Sequence, residues 1–177
     1  MKSIIFILLL SSLIFPSEII KNTESRIKEI FPDYLDIDHS KYQINSKTKK
    51  SIQNEVKQKF FRSEVNLWVV QNSDSLKYYA ILDNVKGKSM PITFLTIFNH
   101  TGNVYTSSII KYREAYGGEV AGESWLNQFT NYTDTSNYKV GKAISGISGA
   151  TISVHSVSKG IKKLSILIHQ IMKDFDE

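Results

Sequence analysis

The chain has 177 residues, room for one domain with a real core and too little for two full-sized ones. Hydrophobic residues make up 41% and charged residues 22%, which opposes disorder, and the formal charge of +5 is spread thinly. There is no cysteine, which excludes disulfides, thiolate-held iron–sulfur clusters, c-type haem attachment and a lipidated N-terminal cysteine.

In chain order, Lys2 and the apolar run Ile4 to Phe15, interrupted only by Ser11 and Ser12, read as an export signal. The run is shorter than the roughly 20 residues a membrane-spanning helix needs. Phe15-Pro16-Ser17 is not a clean cleavage site, so residues 1–17 are expected to be either a signal peptide or an N-terminal anchor. Everything after them is expected to fold in the periplasm or another extracytoplasmic space. Ser17 is a natural N-cap for a short helix carrying Ile20, Ile27, Ile30 and Phe31, stopped by Pro32. Residues 33–45 read as a loop. A second helix follows, with Ile52, Val56 and Phe60 at four-residue spacing. Lys47, Lys49 and Lys50 at its start read as a solvated face. Residues 18–62 are thus expected to form a helical segment ahead of a domain spanning 63–177.

The period then changes to two. Val65, Leu67 and Val69 alternate with Asn66 and Trp68, predicting a strand, and Asn72 to Ser75 predicts a turn. Further strands are expected over Leu76 to Val85, Ile92 to Phe98 and Val104 to Tyr112, separated by Gly87 to Pro91 and by a hairpin loop over Asn99 to Asn103. Residues 113–123 hold three glycines and three glutamates without hydrophobic periodicity. Trp125, Leu126 and Phe129 suggest one or two helical turns, and Asn131 to Asn137 a polar loop. The last helix is the clearest element: Val154, Val157, Ile161, Leu164, Ile168, Ile171 and Phe175 form one apolar stripe over about six turns. The expected class is α+β, with an antiparallel sheet of about four or more strands flanked by helices and the long C-terminal helix packed on it.

Two segments carry candidate chemistry. Ser148-Gly149-Ala150-Thr151 opens the last helix, where the first-turn N–H groups lack intrahelical partners and the macrodipole favours an anion. Gly149 and Ala150 leave room for close approach, and Thr151 and Ser153 supply hydroxyls. Upstream, Tyr112-Arg113-Glu114-Ala115-Tyr116-Gly117-Gly118-Glu119 combines aromatic rings, charges and flexible backbone. Tyr112 and Tyr116 are candidates to stack on a flat ring, and Arg113, Glu114 and Glu119 to tune it. The four histidines, His39, His100, His155 and His169, show no ligand spacing, so no metal site is expected.

Together the two segments resemble the FMN-binding domain family, whose SGAT-type motif supplies the threonine esterified to FMN phosphate. The likeness covers most of residues 27–165, through Ile30-Phe31-Pro32, the stretch Tyr79 to Lys88, and Gln128-Phe129, the last read as structural. The resemblance implies FMN as cofactor and Thr151 as its point of attachment. It also implies a flavin transferase that uses FAD as donor and releases AMP. Ser148, Gly149, Ala150, Ser153, Tyr112, Glu114, Tyr116, Gly117 and Gly118 are implied as further cofactor-binding positions. Where the transferase-recognised pattern usually has an aspartate, three residues before the motif serine, this chain has Ser145.

No nucleophile–base pair is visible, since His155 and Ser156 are consecutive in a helix and diverge. The expected role is therefore an exported electron carrier with a membrane or extracytoplasmic redox partner, rather than a stand-alone enzyme. The alternative is a non-redox module of the same fold that holds FMN non-covalently or helps assemble a membrane complex. The diffuse charge and lack of a recognised motif oppose a nucleic-acid partner.

Overall fold

The computed structural model describes residues 17–176, so most of the expected export segment lies outside the described residues. Helix α1 (Glu18–Ile30) starts at Ser17, whose side chain accepts from the Ile20 N–H. Five strands follow: β1 (Tyr34–Gln43), β2 (Glu64–Asn72), β3 (Lys77–Lys86), β4 (Pro91–Phe98) and β5 (Val104–Lys111). Helix α2 (Ser46–Val56) lies in the β1–β2 connection, a short α3 (Glu123–Leu126) follows β5, and α4 (Thr151–Asp176) closes the chain. The strands form one antiparallel sheet in sequence order. The class is α+β.

Strand β1 corrects the reading of residues 33–45 as a loop. Its side chains are mostly exposed on both faces, so no apolar alternation marks it. Cross-strand register holds it: each residue from Asp36 to Gln43 faces a partner on β2. Helix α2 also stops earlier than the four-residue spacing suggests, because Lys57 turns left-handed at φ 56°. Phe60 is still buried, with its N–H donating to Gln53 Oε1 at 2.8 Å.

The sheet is covered on both faces, since successive side chains of a strand point to opposite sides. Val65, Leu67, Tyr79, Ile81, Val85, Phe94 and Phe98 pack with the α4 stripe, while Trp68, Val70, Ala80, Leu82, Leu95 and Ile97 pack with Ile27 and Phe31 of α1. The stripe is buried from Val154 to Ile171, but Phe175 is half-exposed and meets the Tyr79 ring edge-on. Gly160 lets α4 lie close to the sheet: a Cβ there would fall 2.6 Å from Val85 Cγ1 and 2.8 Å from Phe94 Cζ. Beneath the helix, Lys163 Nζ lies 2.8 Å from Asp83 Oδ2, donates to the Lys59 carbonyl and covers the Phe60 ring. The loop between α3 and α4 is tied to the helix by Tyr138, whose hydroxyl lies 2.8 Å from Ser165 Oγ. This tie and the α4 stripe fix where Thr151 emerges. Among the described residues, no helix is long and apolar enough to cross a membrane.

Candidate functional site

The chain enters α4 through a turn in which Gly149 takes φ +79°, with nothing within 4 Å of a Cβ built there. Its glycine is therefore required by backbone conformation, not by lack of space. Ala150 N–H donates to the Ile147 carbonyl at 3.1 Å, and the Ala150 carbonyl accepts the first helical bond, from Val154 N–H at 3.0 Å. Ala150 thus occupies the N-cap position and has no side-chain oxygen to satisfy the N–H groups of Thr151, Ile152 and Ser153. A helix start of this kind favours an external anion. Thr151 and Ile152 are exposed and Ser153 is buried.

Three segments converge here on a cleft of about 680 Å³, lined by Lys88 and Ser89, by Arg113 to Tyr116, and by Gly149 to Ser153. That volume is within the roughly 300–1,000 Å³ common for small-molecule sites. Glu114 builds one wall, its Oε1 accepting from Ser89 N–H at 2.8 Å and Met90 N–H at 3.0 Å. These backbone donors, Met90 first, hold its carboxyl below the ordinary glutamate range. Gly87 is needed in the same turn, because a Cβ would overlap the Glu114 carboxylate and the Met90 carbonyl. Arg113 Nη1 donates to the Pro91 carbonyl at 2.9 Å and to Thr93 Oγ1 at 3.0 Å, which anchors the segment on β4. Tyr116 is 85% exposed at the rim.

The two motif segments touch. A Cβ on Gly117, which takes φ +79°, would fall 2.8 Å from Ala150 Cβ and 3.0 Å from the Tyr112 hydroxyl. That hydroxyl donates to the Tyr116 carbonyl at 2.6 Å and lies 3.0 Å from Ser153 Oγ. Behind the turn, Trp125 Nε1 donates to the Ser145 carbonyl and Ser145 N–H donates to Gln128 Oε1, each at 2.8 Å. The side chain of Ser145 remains exposed.

Of the positions implied from sequence, Thr151, Gly149, Ala150, Ser153, Glu114 and Tyr116 line the cleft. Ser148 is exposed in the turn ahead of it, and Tyr112, outside the lining, braces the walls through its hydroxyl. Gly117 is packed beneath Ala150, and Gly118 begins a 3₁₀ turn, Gly118–Ala121. Glu119 faces a separate depression with Trp125, Gln128 and Ser145. Lys88, Ser89 and Ile152 line the cleft without having been singled out from sequence. Only the Lys88 charge offered a signal.

An FMN-type ligand fits this arrangement. Three N–H groups and the exposed cation Lys88 suit a phosphate, exposed Thr151 lies beside them, and the one lining carboxylate is turned onto backbone donors. Residues 87–165 match the FMN-binding domain family. Among solved structures, the chain is similar to one of the subunits of the Na(+)-translocating NADH-quinone reductase from Parabacteroides distasonis. The identity is 13% and the TM-score 0.48, over 80% of this chain and 83% of that one. No curated protein matches the chain.

Proposed function

We propose that the chain, whose residues 87–165 match the FMN-binding domain family, is an exported electron-transfer flavoprotein whose FMN is esterified to Thr151. The observation that carries the reading is the helix start: exposed Thr151 in the cleft lining beside open N–H groups, on a turn whose N-cap is alanine. Thr151 Oγ is the ester-forming oxygen, the first-turn N–H groups hold the remaining phosphate oxygens, and Lys88 adds positive charge. The Gly117–Ala150 contact and the Tyr112 hydroxyl keep the two walls in register. When bound, FMN exchanges one or two electrons, so it links two-electron donors to one-electron acceptors. A covalent tether prevents loss of the flavin where free FMN is dilute. Lys2 and the apolar run Ile4 to Phe15 support export, and hence an extracytoplasmic or membrane-bound redox partner and a flavin transferase in the same compartment.

Intact-mass measurement after co-production with a flavin transferase tests this. The expected increment is FMN minus one water, present in the wild type and absent in Thr151→Ala. A colourless, unmodified wild type in the presence of transferase and FAD would overturn the ester.

A further inference from the structure

We propose that Ser153 Oγ faces the cleft as a hydrogen-bond acceptor and receives a hydroxyl of the ribityl chain of FMN, leaving the phosphate to the backbone N–H groups. The inference rests on FMN being the ligand of this cleft; what it adds is the division of labour inside it.

The argument is one of proton count. The Tyr112 hydroxyl has one hydrogen, and at 2.6 Å from the Tyr116 carbonyl, which can only accept, that hydrogen points at the carbonyl. The contact between Tyr112 and Ser153 Oγ, at 3.0 Å, must then run the other way, with Ser153 donating. A relay results: Ser153 to Tyr112 to the Tyr116 carbonyl. It uses the only hydrogen on Ser153 Oγ and leaves that oxygen with lone pairs alone for a ligand. Other serines of α4 spend their hydrogens differently, Ser158 on the Val154 carbonyl and Ser165 on the Ile161 carbonyl, each four residues back. Ser153 is 5% exposed and lines the cleft, so its partner there must carry a donor. An ionised phosphate oxygen repels such lone pairs, whereas a sugar-alcohol hydroxyl complements them.

The full chain, produced without a flavin transferase, is titrated by flavin fluorescence with FMN, riboflavin and lumiflavin, the same isoalloxazine with a methyl group in place of the ribityl chain. Ser153→Ala is expected to weaken FMN and riboflavin alike by about fivefold, the size of one hydrogen bond, and to leave lumiflavin unchanged. Tyr112→Phe frees the serine hydrogen to turn toward phosphate, so the ratio of FMN to riboflavin affinity is expected to rise. In the flavin-free protein, Ser153→Ala is expected to shift the Tyr112 ¹³Cζ resonance as the phenol loses an accepted bond. Weakening of FMN alone places Ser153 on the phosphate and overturns the proposal, as does an unmoved Tyr112 resonance. A wild type that binds none of the three flavins overturns the FMN reading itself, an outcome distinct from either.

Discussion

Gly117 and Ala150 touch across the site, 33 positions apart in sequence, with only 2.8 Å between Ala150 Cβ and the place a Gly117 Cβ would occupy. Gly117 also takes φ +79°, a conformation most side chains resist. Gly117→Ala is therefore expected to destabilise the fold by about 1–3 kcal/mol, through overpacking and backbone strain together. Gly118 meets nothing within 4 Å, so Gly118→Ala is the control, expected within about 0.5 kcal/mol of wild type. Urea denaturation of both variants checks this; equal losses would show that the contact is not tight.

The Glu114 carboxylate gives the 87–90 turn a pH dependence. Its folded-state value lies below the ordinary 4.5 because Met90, Ser89 and then Lys88 N–H groups bond the charged form. A lowered value means that the contribution is complete above pH 4.5 and is lost as pH falls through the lower folded value. Hydrogen exchange at Ser89 and Met90, corrected for intrinsic rates, is expected to lose protection across that acid window. Glu114→Gln is expected to abolish the pH dependence there.

Asp83 and Lys163 form an ion pair beneath α4, their side chains 8% and 0% exposed. Removing either partner alone leaves a buried charge unpaired, so Asp83→Asn or Lys163→Met is expected to cost about 3–5 kcal/mol. The double variant Asp83→Leu with Lys163→Met is expected to recover most of that loss, because a packed apolar pair replaces the ions without stranding a charge. A double variant as unstable as the worse single one, in denaturant titration, would count against this account.

Ser145 is held by its backbone, through Trp125 and Gln128, while its side chain is exposed. Ser145→Asp, which restores the carboxylate usual at this place in the motif, is expected to leave stability within about 0.5 kcal/mol. If Thr151 carries the proposed ester, the flavin-modified fraction, read by intact mass after limited exposure to a transferase, is expected to rise. A fall in that fraction would mean that the hydroxyl at this position already serves recognition.

What could be read from the residues was what periodicity encodes. The α4 stripe and the strands from Val65 to Tyr112 each have at least one face apolar enough to show, and they lie close to where that pattern puts them. Strand β1 has no such face, since its existence depends on pairing with β2, a long-range contact invisible in local pattern. The site divides the same way. Thr151, Gly149 and Ala150 announce themselves as a helix start, but Lys88 and Ser89 join them only because Glu114 bonds a turn about 25 residues away. Tyr112 reads in the sequence as a ring for stacking; its hydroxyl bonds to Tyr116 and Ser153, a bracing role that no local pattern announces.

The exposed Thr151 at the outer end of a helix already packed along a sheet bears on the timing of maturation. Thr151 is already exposed in the completed fold, so the esterification proposed above would need no unravelling of the helix. Under the proposed ester, attachment of the cofactor would follow folding, and the colourless chain would be a finished precursor, not a failed product.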